Sequence, residues 1–341
     1  MASDRTTGST PQHMTRRRFL GRAGAALIAG GAGTLAAEAA RRGPKHQVKK
    51  RRLGKTGLMV SEIGFGGHSW EYKKVPDPSG LRRVSEDEAV EIISAALDMG
   101  VNFFDADTAI SEHEVPGKVL KRINRADDVI VCVRLCHKSH GKPSDKDEIH
   151  KFIDERLKLW PMDCVDLMMV SMTTEDYWDM SYCIEALDKV KQQGKIRFTG
   201  FGSHFTPENY LEALAKYGDA FDICSAPYNV RHRAAEEVFP VAEEKNLGIV
   251  TIKPFARGSL LEELDLEGEH KGTPRRMVAF VLQNKLVDCC LTGLHTFDQM
   301  LANFSASWIG LSPEDTDALD RLASAAPPGE PDWLERSWVL A

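Results

Sequence analysis

The stretch "GVNFFDADTAISEHE", Gly100 to Glu114, gathers Asp105, Asp107, Glu112, His113 and Glu114 into one short segment. Further imidazoles follow short apolar runs elsewhere: His68, His137, His140, His204 and His295. Carboxylates beside imidazoles can run acid–base chemistry near neutral pH or bind a transition metal. No HxH or HExxH spacing occurs, which favours solvated or backbone-bonded histidines over a preset metal site, so no metal is assigned. Cysteines 132, 136, 164, 183, 224, 289 and 290 are odd in number and contain no CxxC pair. Spacing therefore signals neither a disulfide framework nor structural zinc, and most of them read as small core residues. Cys132 and Cys136 lie four apart on one run and share a face.

Groups this far apart in sequence need a scaffold that collects them. From Arg51 onward, apolar β-rich runs alternate with helical patterns. The candidate strands are 59–66, 101–105, 128–135, 164–170, 196–202, 220–226, 247–253 and 286–292. Between the first two, "SEDEAVEIISAALDMG" reads as a helix. Ser85 and Glu88 form a capping box, Ala89, Ile92 and Ile93 mark the buried face, and Gly100 ends it. Continuous apolar strands separated by helices indicate a parallel sheet covered on both faces. Eight such units predict an α/β fold of the (β/α)8 TIM-barrel type. An open doubly wound sheet is the competing architecture; it would want an early GxGxxG, which "GFGG" at 64–67 does not supply.

Several motifs in this order resemble the aldo/keto reductase superfamily: "RRLGKTGLMVSEIGFGG", "GVNFFDAD", "GKIRFTGFGSHF", "FDICSAPYN", "GIVTIKPFARGSL" and "LTGLHTFDQMLANF". The match spans nearly all of residues 51–308. It implies a (β/α)8 barrel that binds NADP or NAD without a Rossmann motif and transfers hydride to a carbonyl at the C-terminal mouth. A carbonyl accepting hydride becomes an alkoxide, so a proton must arrive as that charge develops. The family uses a tyrosine tuned by a lysine that an aspartate holds, with a histidine orienting the substrate oxygen. Here the resemblance maps the aspartate to Asp105. The tyrosine position carries Ile110, the lysine position Arg134 and the histidine position Ser171. Arg stays charged and hardly donates a proton, so the usual delivery is not available.

On the cofactor side, Ser203 and His204 match the positions that hold the nicotinamide amide. Ser225 stands where a Gln is usual. Gly258 and Ser259 match a loop that offers backbone N–H groups to the pyrophosphate. His295, Thr296, Gln299 and Asn303 match the last phosphate- and adenine-binding helix. Ala302 replaces an acid that grips adenine. The same glycines and polar residues would also serve simply to make barrel turns. No CxxCxxC run is present, so no iron–sulfur cluster is expected.

The first 39 residues are of a different character. "TRRRFL" (15–20) resembles the twin-arginine export motif, a Gly/Ala-rich stretch follows from Ala23 to Leu35, and Ala37-Glu38-Ala39 fits small-x-small cleavage. The expected organisation is a signal at 1–39, a linker at 40–50, the barrel at 51–325 and a Pro-rich tail at 326–341. This implies export, with the twin-arginine machinery as partner, to the periplasm or an equivalent compartment. The apolar stretch is too short and weak to be a stable membrane anchor. The chain carries a formal charge of −6, and "KKRR" at 49–52 reads as a solvated segment, so nucleic acid is not an expected partner. The expected function is an NAD(P)-dependent oxidoreductase with atypical proton delivery, acting on a carbonyl or sugar-like small molecule. The alternative is a non-catalytic barrel that binds a nucleotide or other ligand and acts through a partner.

Overall fold

In the computed structural model, residues 47–69, 75–77, 80–82, 84–106, 110–136, 146–172, 181–203, 206–261, 264–266 and 268–325 are described. The export signal at 1–39, the linker before residue 47, the tail at 326–341, Asp107, His137, His140 and His204 lie outside the described residues. The side chains of His68, Ile110, Glu112, His113, Cys136, Ser171 and Ser203 lie outside them too.

The eight-stranded barrel is closed. Its strands are β3 (Ile63–Phe65), β6 (Phe103–Ala106), β7 (Ile130–Cys136), β8 (Val165–Met172), β9 (Ile196–Ser203), β10 (Ile223–Pro227), β11 (Gly248–Ile252) and β12 (Cys289–Thr292). Every neighbouring pair is parallel, including β12 with β3, which shuts the ring. A helix follows each strand: α1 (Glu86–Asp98), α2 (Ile110–Ile123), α3 (Lys146–Leu157), α4 (Ser181–Gln192), α5 (Pro207–Tyr217), α6 (Phe239–Glu244), α7 (Thr273–Gln283) and α8 (Phe297–Phe304), with α9 (Pro313–Ser324) added at the end. The start of α1 has the expected reciprocal cap between Ser85 and Glu88, and its buried face includes Ala89, Ile92 and Ile93.

The run at 59–66 is two elements rather than one. Met59–Ser61 is β2, paired antiparallel with β1 (Lys50–Arg52), and only 63–65 enters the barrel. The break is at Glu62, which is 3% exposed. Its carboxylate takes Arg51 Nε at 2.9 Å and Ser307 Oγ at 2.7 Å, so the charge is paired where the chain turns inward. Arg51 also donates to the carbonyls of Leu282 and Val287, at 2.8 and 2.5 Å, tying the hairpin to the end of α7. Leu53, Leu58 and Val60 then pack against Phe103, Cys132, Leu167, Ile223, Val250 and Cys289, so the hairpin plugs the N-terminal end of the lumen. Gly54 makes this seat possible: a Cβ there would lie 2.2 Å from Gly248 N. A second hairpin, β4 (Val75–Asp77) with β5 (Gly80–Arg82), interrupts the path from β3 to α1 and was not expected from the sequence.

The same end of the barrel carries a fourfold device. Asn102, Asp166, Asp222 and Asp288 sit at the starts of β6, β8, β10 and β12. Each side-chain oxygen accepts a backbone N–H from the preceding strand or its lead-in: Ser61 at 2.7 Å, Val131 at 3.0 Å, Thr199 at 3.0 Å and Ile249 at 2.9 Å. These clasps satisfy donors that the strand ladders leave over.

Burial pushes the Asp288 carboxyl up to about 6, against the opposing effects of the Ile249 N–H and Arg51. A raised carboxyl contributes stability fully below its ordinary range, near ~4, and that contribution is lost as pH rises through about 6. Asn102 performs the same clasp as a neutral amide. Asp288→Asn is therefore expected to stabilise the protein at pH 7.5 by roughly 1–3 kcal/mol and to show no gain at pH 4. Urea denaturation of both proteins at the two pH values checks this.

Candidate active site

The C-terminal end of the lumen is polar where the N-terminal end is oily. Phe103, Cys132, Met169 and Ile223 belong to the interior cluster. Strand side chains alternate, so residues two further along share that face. Asp105, Arg134 and Ser225 stand at those positions on β6, β7 and β10. Arg134 donates Nε to Asp105 Oδ2 at 2.7 Å, and its Nη2 is also 2.7 Å from that oxygen. Nη2 reaches on to Ser225 Oγ at 3.3 Å. The two ionic side chains are 6% and 3% exposed, so the pair lies at the floor of the mouth, out of bulk water.

The neighbouring strands make room for it. A Cβ on Gly202 in β9 would lie 2.4 Å from Ser225 O, so only glycine lets β10 come this close there. Tyr210 of α5, packed outside the sheet, donates its hydroxyl to Ser225 O at 2.7 Å and fixes the strand from behind. The backbone of Ser171 is in register with Cys136 on β7 and Gly202 on β9, next to this floor. Ile110 is the first residue of α2, shortly after β6. Ser203 ends β9.

Beyond β11 the backbone is strained. Lys253, Ala256 and Arg257 have φ of 63, 47 and 61°, followed by Gly258 at 100°. The other non-glycine residues with positive φ among those described are Asn124 and Asn246, a residue type that tolerates this region. Such conformations cost about 1–3 kcal/mol each and persist where surrounding contacts enforce them. Ser259 Oγ donates to Ala256 O at 2.9 Å and Gly258 N to Phe255 O at 2.8 Å, closing the loop on itself.

Beyond β12, Thr296 caps α8 by accepting Gln299 N at 3.2 Å, and the Gln299 carboxamide accepts His295 N at 2.8 Å. Asn303, 3% exposed, donates Nδ2 to Gly293 O at 3.2 Å and braces the turn between β12 and α8. Gly258, Ser259, His295, Thr296 and Gln299 thus cluster by topology on two adjacent βα loops at the same end as Arg134. One residue of this end was not anticipated: Asn229, wholly buried just after β10, reaches the Lys253 carbonyl. Its signal was a lone amide within the run "APYNV" that follows Ser225.

Among the described residues, no group of three or more His, Cys, Asp or Glu is placed to hold a metal, and no helix is long and apolar enough to cross a membrane. The six cysteines whose side chains are described are free thiols. Burial pushes Cys224 and Cys290 up to about 12 and Cys289 well above its usual value, so none of these three offers a thiolate.

Comparison with known proteins agrees with this architecture. The aldo/keto reductase family model matches residues 62–277, and the chain belongs to that family. L-galactose dehydrogenase of Arabidopsis thaliana is 29% identical over 289 residues, covering 76% of this chain and 88% of the relative. A probable voltage-gated potassium channel subunit beta of Arabidopsis thaliana is 26% identical over 233 residues, covering 62% and 65%. Among solved structures, an aldo-keto reductase of Bacillus halodurans in its holo form superposes with a TM-score of 0.64 at 25% identity, covering 82% of this chain and 98% of that one.

A buried ion pair is worth little until one half is removed. Arg134→Met is expected to cost about 3–5 kcal/mol, because it strands the Asp105 carboxylate. Adding Asp105→Asn should recover much of that loss. Equilibrium denaturation of the two variants measures it.

Proposed function

We propose that this family member is an NAD(P)-dependent oxidoreductase of the aldo/keto reductase type, acting on a carbonyl or sugar-like substrate with altered proton delivery. The observation that carries the reading is the Asp105–Arg134–Ser225 constellation on the lumen floor, beside two βα loops suited to a dinucleotide. The likeness to L-galactose dehydrogenase supports a sugar-like substrate. The N-terminus of α8 fits an anionic cofactor, and the constrained loop at 256–259, whose Ala256, Gly258 and Ser259 N–H groups close on its own carbonyls, would line the same mouth as a shaped wall. Gly258, Ser259, His295, Thr296, Gln299 and Asn303 would hold the nucleotide end, with Ser203, His204 and Ser225 toward the nicotinamide. A bound nicotinamide would supply or accept hydride.

The chain's own contribution differs from the family pattern at Ile110, Arg134 and Ser171. Arg134 keeps its proton at any working pH. Its role is therefore electrostatic, stabilising negative charge as it develops on the substrate oxygen, while Asp105 fixes the guanidinium plane. The proton comes from solvent or from a mouth residue, His113 and His137 being the first to test. The same fixed charge favours a second reading, a ligand-binding barrel without turnover. We further propose that the chain is exported through residues 1–39 as a folded, loaded protein.

Protein purified after export and then denatured should release NADP or NAD in stoichiometric amount. Absence of both, together with no tryptophan-fluorescence response to NADPH, would defeat the cofactor reading. Reduction of simple aldehydes should be poor, since loss of a positioned general acid costs ~10²–10⁴ in rate. The triple change Ile110→Tyr, Arg134→Lys, Ser171→His should raise it, and each single change should do little. Robust turnover by the unaltered protein would show that another group already delivers the proton. Changing Arg16, Arg17 and Arg18 together to Lys should strand the precursor in the cytoplasm; normal export of that variant would refute the signal.

A further inference from the structure

We infer that Asn229, which lies outside every site residue assigned above, is the positioning residue that shapes the diphosphate-binding loop after β11. The inference rests on the nucleotide reading. Asn229 is fully buried and lies two residues beyond the end of β10. Its Oδ1 accepts the backbone N–H of Arg231 at 3.0 Å and of His232 at 2.8 Å, and its own N–H donates to His232 O at 3.0 Å. Those two accepted bonds fix which end of the amide is oxygen, since a flipped amide would set donor against donor. Nδ2 is thereby aimed at the carbonyl of Lys253, 2.9 Å away. Just before it, Tyr228 N donates to Ile252 O at 3.0 Å, the last rung between the two segments.

Lys253 is the residue where the chain leaves β11 with φ at 63°, ahead of Ala256, Arg257 and Gly258. A lysine does not hold that conformation by preference. The Asn229 amide and, from within the loop, the Ala256 N–H at 3.0 Å share its carbonyl, so the amide anchors to β10 the turn from which the following peptides depart. One turn, closed on itself after β10, thus templates the backbone of the next βα loop, which would line the diphosphate site. Asn229 touches no ligand in this arrangement; it acts through the Lys253 backbone.

Asn229→Asp is the selective test. Assayed at alkaline pH, where the buried carboxyl is ionised, the aspartate still accepts from residues 231 and 232 but cannot donate to Lys253 O. Binding of NADPH and ADP to the full-length protein is measured by fluorescence titration, with circular dichroism to check folding. The expected result is a loss of about fivefold to tenfold in affinity for both ligands. The same substitution is then made beside Lys253→Gly, because glycine holds φ of 63° without strain. There the loss should shrink to about twofold, since the loop no longer needs the grip. A loss of equal size in both backgrounds would mean that Asn229 only stabilises the fold, and would overturn the inference. Unchanged affinity in Asn229→Asp while the parent binds both ligands would also overturn it and leave the cofactor reading standing. A parent that binds neither ligand would overturn both. Should Asn229→Asp not fold, Asn229→Ser, whose hydroxyl can accept from the same turn but is too short for Lys253 O, carries the comparison.

Discussion

A carboxylate and a guanidinium held together inside a closed ring of strands set the terms for this molecule. Asp105 and Arg134 come from adjacent parallel strands, in positions that face the lumen, and both are nearly removed from water. Desolvating two charges costs several kcal/mol each unless geometry repays it. The repayment here is a short contact, a further hydrogen bond to Ser225, and glycine in β9 that lets β10 approach. The lumen around the pair has to be filled so that water does not enter from below, which is the task of the β1–β2 hairpin.

The two ends of the barrel are consequently built to different rules. At the N-terminal end Asn102, Asp166, Asp222 and Asp288 form clasps and Arg51 ties down the hairpin, so these polar groups all close structural bonds. At the C-terminal end strain is tolerated instead: positive φ at Lys253, Ala256 and Arg257 is concentrated in one loop. A fold of this type separates stability from chemistry by face, and here that division can be followed residue by residue.

Most of the fold was legible because strands buried on both sides must be apolar throughout, and the helices between them carry caps and a 3.6-residue period. The eight runs and the Ser85–Glu88 cap could be read on that basis. What escaped was local polarity with a long-range cause. Glu62 splits one apolar run in two because its partners, Arg51 and Ser307, lie far apart in sequence. The β4–β5 hairpin sits in a short Pro/Gly segment with no apolar signature. The Asx clasps fall inside the predicted strands and read only as isolated polar residues until the register of the strands is known. In the site, the positions of Asp105 and Arg134 at consecutive strand ends made their proximity foreseeable. The grip of Asn229 on Lys253 was not, since nothing in the sequence reveals a backbone torsion.

The distribution of thiols gives the molecule a built-in readout of its own breathing. Cys132 and Cys289 lie within the lumen, Cys183, Cys224 and Cys290 lie between sheet and helices, and Cys164 is half-exposed. A thiol-directed alkylating reagent can reach the first group only when the ring of strands parts. It reaches the second when a helix lifts away. Labelling rates under native conditions would therefore resolve two kinds of opening in one experiment, loosening of the outer layer and rupture of the barrel, without any engineered probe.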